Sequence, residues 1–190
     1  MEMLVENRRN KIHPQKFALY VAFASISMMF IAFTSAYIVK QAAGNWLEFS
    51  LPSIFYISTV VILTSSLVLH ISYSSFINGQ EKRYKLFLVL AFLLGVSFLV
   101  LQYLGWQELY AIGIDLKGSI SGSFVYIISG AHALHILGGI AAIIVAMLQA
   151  FTLPYKVTDK RKLRFELTLH YWHFVDLLWV YLFGFILLYR

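Results

Sequence analysis

Cysteine is absent from the 190 residues, proline occurs three times, and charged residues make up only 13%. Without cysteine there is no disulfide, no thiolate zinc site, no cysteine-ligated cluster and no attached c-type haem. The scarcity of charge excludes a soluble domain of this size. Hydrophobic residues are 60% of the chain and aromatics 17%, with a mean hydropathy of +0.75. Several apolar runs reach about 20 residues, the length that crosses a bilayer core. The composition is that of an all-α integral membrane protein.

The formal charge of +6 does not imply a nucleic-acid partner, because the basic residues cluster in loops beside apolar runs, as the positive-inside bias requires. The opening "MEMLVENRRNKIHPQKF" is polar and lacks the charged-then-apolar pattern of a cleaved signal peptide. The first apolar run is therefore expected to remain in the mature protein.

Five runs are expected to span: residues 17–39, 54–76, 86–107, 124–148 and 168–189, forming one transmembrane domain over 1–190. Only the segments 115–121 and 154–164 leave room for much loop, and neither can hold a second domain. Arg8, Arg9, Lys11 and Lys16 lie before the first run. Lys82, Arg83 and Lys85 fill the second connection, and Lys156, Lys160, Arg161, Lys162 and Arg164 the fourth. The first and third connections hold only Lys40 and Lys117, and the end only Arg190. This alternation predicts a five-helix bundle with its N-terminus cytoplasmic and its C-terminus periplasmic. No internal repeat appears.

Two features have plain packing explanations. The hydroxyls of "TSSLVLHISYSS" (64–75) in the second run are expected to bond back to helix carbonyls or to bridge helices. Gly138, Ala142, Ala146 and Ala150 recur every four residues in the fourth run. They form a stripe of small side chains that is expected to be a helix-packing seam.

The residues that ask for a function are polar and intramembrane: His70, His132, His135, His170, His173 and Asp176, with Glu166 just before the last run. A charge at the middle of a span costs roughly 2.5–3.5 kcal/mol on insertion scales, so such groups face protein or water. Glu166, His170 and His173 share one helix face, and Trp172, Asp176 and Trp179 share a neighbouring one. Either indole is placed to donate to Asp176; without a partner, desolvation favours the neutral acid. By depth, His135 is about 16 Å in from one end of its span and Asp176 about 12 Å in from the other. Across a core of about 30 Å the two levels nearly meet, which predicts a His135–Asp176 contact, direct or through water.

Metal ligation is weighed on spacing. His132 with His135, and His170 with His173, form two H-x-x-H pairs. A three-residue step rises only about 4.5 Å, which excludes two haems stacked across the membrane. One haem, or one non-haem metal between the helices, stays open as a single-haem cytochrome reading. The paired Glu and E-x-x-H pattern of di-iron bundles is missing. Satisfied structural histidines are favoured, with no metal ligand and no catalytic residue. A proton-coupled transporter built on Asp176 is disfavoured by the lack of inverted repeats and of broken helices at matching positions.

The pattern also resembles a known family. "HYWHFVDLLWVYLF" (170–183) resembles the last helix of subunit III of haem–copper oxidases, approximately Y-W-H-F-V-D-V-V-W-L-F-L, through Tyr171, Trp172, His173, Phe174, Val175, Asp176 and Trp179. "SGAHALHILGG" resembles that family's G-F-H-x-L-H-x-x-x-G helix through Gly130, His132, Leu134, His135 and Gly139. "LPSIFYISTVVILTSSLVLH" resembles its L-P-x-x-N-T helix without the Asn, and "FLVLQYLGWQELY" a segment with Gln102 and a later Glu108. The likeness runs through all five spans and is to the shorter, five-helix form. One departure is Ile26, which stands where the family usually carries a membrane-embedded glutamate.

The resemblance implies an accessory subunit of a respiratory terminal oxidase, cytochrome c oxidase first, in the bacterial cytoplasmic membrane. It would have no redox centre of its own. Its partners would be subunit I and subunit II, with haem and copper in the catalytic subunit, and a larger assembly with a quinol-oxidising complex. Its role would be to stabilise the catalytic subunit and support proton uptake, with phospholipid and other membrane lipids between helices. His132, His135, Trp172, His173, Asp176, Gln102 and Glu108 would be polar clasps or subunit-interface and lipid contacts. A quinol oxidase or a nitric oxide reductase uses the same subunit type.

Overall fold

The computed structural model describes residues 13–44, 46–47, 49–114, 116 and 120–189; Arg8, Arg9, Lys11, Asp115, Lys117 and Arg190 lie outside them. Five helices fill most of this length: α1 (Pro14–Ala42), α2 (Ile54–Ile77), α3 (Glu81–Ala111), α4 (Ile120–Thr152) and α5 (Asp159–Tyr189). All five are long and apolar enough to cross a membrane.

The three prolines lie only at helix edges, which is where the missing N–H does no harm. Pro14 opens α1, Pro52 precedes α2, and Pro154 follows α4. Gly44, Gly79 and Gly113 have φ of 89°, 76° and 82°. Each stands two residues past the end of α1, α2 or α3, in the left-handed conformation that closes a helix.

Neighbours in sequence run antiparallel. Helices α2, α3, α4 and α5 form a closed ring of four, α2 meeting α5, and α1 lies outside the ring against α4 and α5. Lys16 near the start of α1 bonds Glu166 near the start of α5 at 2.6 Å. Tyr37 near the other end of α1 donates to the Tyr189 carbonyl at 3.0 Å. The beginning of α1, the α2–α3 turn and the α4–α5 connection therefore share one end. That end holds Lys16, Lys82, Arg83, Lys85, Lys156, Lys160, Arg161, Lys162 and Arg164 and is called the basic end below.

Arg161 secures the α4–α5 connection. Its Nη1 donates to the carbonyls of Pro154 (2.7 Å) and Lys156 (3.2 Å), and its Nη2 to that of Gln149 (2.8 Å). Tyr155 donates to the Phe76 carbonyl. Burial, followed by the Glu81 carboxylate, holds the Tyr155 phenol above its ordinary pKa, so it remains a donor. Arg161→Ala should loosen this connection by about 1–3 kcal/mol, the scale of lost charge-assisted hydrogen bonds. Limited proteolysis in mild detergent should then cut at 153–158 several times faster; unchanged cutting would show that the loop is held by other contacts.

The centre of the ring is aromatic. Trp172 and Trp179 of α5 are completely buried. A Cβ on Gly95 of α3 would come 2.8 Å from the Trp172 ring, and one on Gly139 of α4 also 2.8 Å. The indole thus occupies a slot that two facing glycines leave open.

Candidate functional site

Polar side chains join the helices at successive levels. Between α2 and α3, Gln102 Nε2 donates to Ser58 Oγ at 2.9 Å, Ser65 to the Ala91 carbonyl at 3.0 Å, and Ser72 to the Tyr84 carbonyl at 2.9 Å. Other hydroxyls of α2 bond back within the helix, Thr64 to the Val60 carbonyl at 2.8 Å. Both uses expected of this hydroxyl-rich helix occur. In hydrocarbon each such bond removes a polar group that would otherwise be desolvated without compensation.

Helix α5 is the hub. Trp179 Nε1 donates to Thr59 Oγ1 at 2.9 Å, and Ser66 Oγ and His173 Nδ1 share a hydrogen bond. Tyr73 donates to Glu166 Oε1 at 2.7 Å, while the other oxygen of Glu166 meets Lys16. Toward α4, Tyr171 donates to the His135 carbonyl at 3.0 Å. Toward α1, Thr34 and the Tyr181 hydroxyl are 2.9 Å apart. Between α3 and α4, Trp106 Nε1 donates to Ser129 Oγ at 2.9 Å.

Asp176 is 2% exposed, and among the described residues no group completes a hydrogen bond to either carboxyl oxygen. The Ser66 hydroxyl approaches it but is engaged with His173. The expected donation from an indole does not form. Trp179 turns to Thr59 on α2, and Trp172, wedged between the glycines of α3 and α4, has no acceptor for its Nε1 among the described residues. Sharing a helix face does not fix where an indole points when neighbouring helices offer a slot or a better acceptor.

The direct His135–Asp176 contact is likewise not made. His135 Nδ1 donates to the Ala131 carbonyl at 2.7 Å, and its ring meets Phe30 of α1 edge-on at 5.5 Å. Asp176 faces α2. The two side chains leave their helices in different directions, which depth alone cannot foresee.

His132 is fully buried, and among the described residues neither nitrogen has a hydrogen bond. It is enclosed by the rings of Phe30 (6.3 Å), Phe98 (6.0 Å) and Trp179 (5.1 Å). His173 is half-buried and faces His70, with ring centroids 5.8 Å apart. His170 is exposed, its Nδ1 donating to the Glu166 carbonyl at 2.6 Å. The H-x-x-H pairs thus face different neighbours, and no set of three His, Asp or Glu converges on a metal position among the described residues. Glu108 is exposed near the end of α3 beside Ser50 and Pro52, far in sequence from the hub on α5 and outside its hydrogen bonds. Ile26 packs on the core as an apolar side chain.

Sequence reasoning missed Gly95 and Thr59. A lone glycine within an apolar run gives no sign of what approaches it, and Thr59 is one hydroxyl among many.

Over 127 residues the chain is 31% identical to the cytochrome c oxidase subunit 3 of Allomyces macrogynus, covering 67% of this chain and 44% of that protein. With the one from Osphranter robustus it shares 29% over 127 residues, 67% of this chain and 47% of the other. The probable cytochrome c oxidase subunit 3 of Mycobacterium tuberculosis (strain ATCC 25618 / H37Rv) is 29% identical over 170 residues, 86% of this chain and 82% of that one. The chain spans less than half the length of the first two relatives. The family model described as cytochrome c oxidase subunit III matches residues 16–190, so this multi-pass membrane protein belongs to the cytochrome c oxidase subunit III family.

Proposed function

We propose that this chain is the accessory subunit III of a respiratory haem–copper oxidase, most simply a cytochrome c oxidase of a bacterial cytoplasmic membrane. It packs beside subunit I, which with subunit II carries the haems and copper, and has no redox centre itself. The observation that carries this reading is the family match over residues 16–190. The basic end lies in the cytoplasm, in keeping with its nine lysines and arginines against Lys40 at the other end of the described residues.

In this reading the polar residues act through packing. Gln102, His173 and their hydroxyl partners clasp α2 to α3 and α5, Trp172 locks α5 to α3 and α4, and His132 and His135 seat α1. A rigid bundle of this kind supports proton uptake by holding the catalytic subunit in one shape. Support that needs the family's glutamate in the first helix does not extend to this chain, because Ile26 stands there.

Affinity purification of the chain from its native membranes in mild detergent tests the proposal. The expected result is stoichiometric recovery of a many-spanning haem–copper subunit and a donor-binding subunit, the latter distinguishing cytochrome c from quinol as donor. Recovery of the chain alone with bound haem would replace the proposal with a single-haem cytochrome.

A further inference from the structure

Three histidines of α4 and α5 use their ring nitrogens differently. His135 and His170 each donate Nδ1–H to the carbonyl four residues earlier in their own helix, at 2.7 and 2.6 Å. That bond fixes the tautomer, because a carbonyl only accepts. His173 departs from this pattern. Its Nδ1 shares a hydrogen bond with Ser66 Oγ on α2. A hydroxyl both donates and accepts, so this contact suits Nδ1 with a proton or without one.

The same hydroxyl approaches Asp176, which lies three residues further along α5 and about 4.5 Å deeper. The carboxyl is 2% exposed and has no completed hydrogen bond among the described residues. Ser66 has one proton to give. While that proton points to His173 Nδ1, Asp176 is left without a donor. Once Nδ1 carries a proton of its own, Ser66 accepts from His173 and turns its proton to the carboxyl.

We propose that His173, Ser66 and Asp176 form one proton-binding site, in which the Ser66 hydroxyl passes a proton between the carboxyl and the imidazole. In the transfer, the O–H bond of the Asp176 acid breaks and its proton joins Ser66 Oγ. The proton already on Ser66 leaves to form the N–H bond on His173 Nδ1. A neutral pair becomes an imidazolium and a carboxylate joined through Ser66 by two hydrogen bonds, and no net charge is created. Neutrality matters at this depth, because an isolated buried charge is strongly disfavoured.

The neighbouring charges have other commitments. Glu166 of α5 is held by Lys16 of α1 and Tyr73 of α2, and Glu81 and Lys85 of α3 pair with each other. His132 of α4 lies against Trp179, one turn beyond Asp176. His70 of α2 faces His173, and with His170 it acts on that ring electrostatically. Both are exposed, so the His173 end of the site is the one open to proton exchange. Every member of the site belongs to α2 or α5 of this chain, and the inference does not rest on the identity of its partners.

Infrared difference spectroscopy of the native assembly in mild detergent, stepped through pH, tests the site. The carboxylic C=O band lost in Asp176→Asn follows the acid, and the ring band lost in His173→Gln follows the imidazole. A shared proton requires each titration step to change both bands, since coupled groups titrate as a pair. Ser66→Ala removes the bridge and should separate the bands into different steps, about one pH unit or more apart. Ser66→Thr keeps a hydroxyl and should retain the joint steps, and His170→Gln should leave them unaltered. Separate titration of the two bands in the wild type, joint steps that persist in Ser66→Ala, or a carboxyl band that responds at no pH would overturn the proposal. Should Ser66→Ala fail to assemble, the wild type and Ser66→Thr decide: joint steps in both support the site, and separate steps in either overturn it.

Discussion

Gly139→Leu is expected to leave little folded protein in the membrane, and Gly139→Ala to lower stability by about 1–3 kcal/mol, the usual cost of overpacking. The reason is that Trp172 cannot retreat. A Cβ at position 139 would lie 2.8 Å from Cε3 and Cζ3 of the indole and 3.3 Å from the Tyr171 ring. On the far side of the same ring, a Cβ at position 95 would lie 2.8 Å from Cη2 and 3.0 Å from Cζ2. An indole displaced from one helix meets the backbone of the other. Gly95→Ala should therefore cost a similar amount, and Trp172→Phe, which shortens the ring system, should recover part of the loss in combination with either alanine. That recovery would appear as a coupling of about 1–2 kcal/mol in a double-mutant cycle. Gly130 and Gly184 provide the control. Among the described residues neither has a packing neighbour within 4 Å of a new Cβ, its own turn of backbone aside, and alanine there should be neutral or slightly stabilising, because helical glycine costs about 1 kcal/mol relative to alanine. Thermal unfolding of purified protein in one detergent measures these variants on a common scale. Equal behaviour of Gly139→Ala and Gly184→Ala would show that Trp172 is not wedged as described.

The same contrast explains what could be read from the sequence. Five apolar runs were legible because spanning helices satisfy their own backbone and must be apolar over a fixed length. Their true ends were not. Helix α5 begins at Asp159 and α3 at Glu81, in charged turns that hydropathy assigns to loops, since hydropathy reports depth in the bilayer and says nothing about where helical hydrogen bonding stops. Depth also brought His135 and Asp176 to neighbouring levels. It carried no information on rotation about the helix axis, and His135 faces Phe30 of α1 while Asp176 faces α2.

Within the candidate site, residue type was more legible than partnership. Histidines, an aspartate and hydroxyls in apolar runs had to face protein, and most do. Which hydroxyl each would meet was settled by the packing of α2 against α5, where Thr59 and Ser66 lie opposite Trp179 and His173. The small stripe on α4 shows the reverse error. Small residues permit close helix approach, but Ala142 and Ala146 line an open cavity together with Arg161 and Arg164 of α5.

Asp176→Leu is expected to stabilise the isolated bundle by about 1–3 kcal/mol, and Asp176→Asn to leave its stability nearly unchanged. Asp176 lies at 2% exposure with no hydrogen bond from any group among the described residues, and a buried polar group without a partner costs about that much. Replacing such a group by an apolar one of similar volume is often neutral or favourable. The hydrogen bonds that hold α5 to α2 at this level, Trp179 to Thr59 and His173 to Ser66, do not include the carboxyl and should survive both changes. Thermal unfolding of the variants in detergent tests this, and a marked loss of stability for Asp176→Leu would show that the carboxyl is itself a clasp. Assembly gives the second measurement. If the aspartate serves proton supply rather than cohesion, both variants should still co-purify with the haem–copper subunit, while oxygen reduction declines faster with continued turnover than in the wild type. An unaltered turnover in both variants would remove Asp176 from that role and leave Glu166, bridged to Lys16 and Tyr73 near the basic end, as the remaining carboxylate on α5 within the polar network.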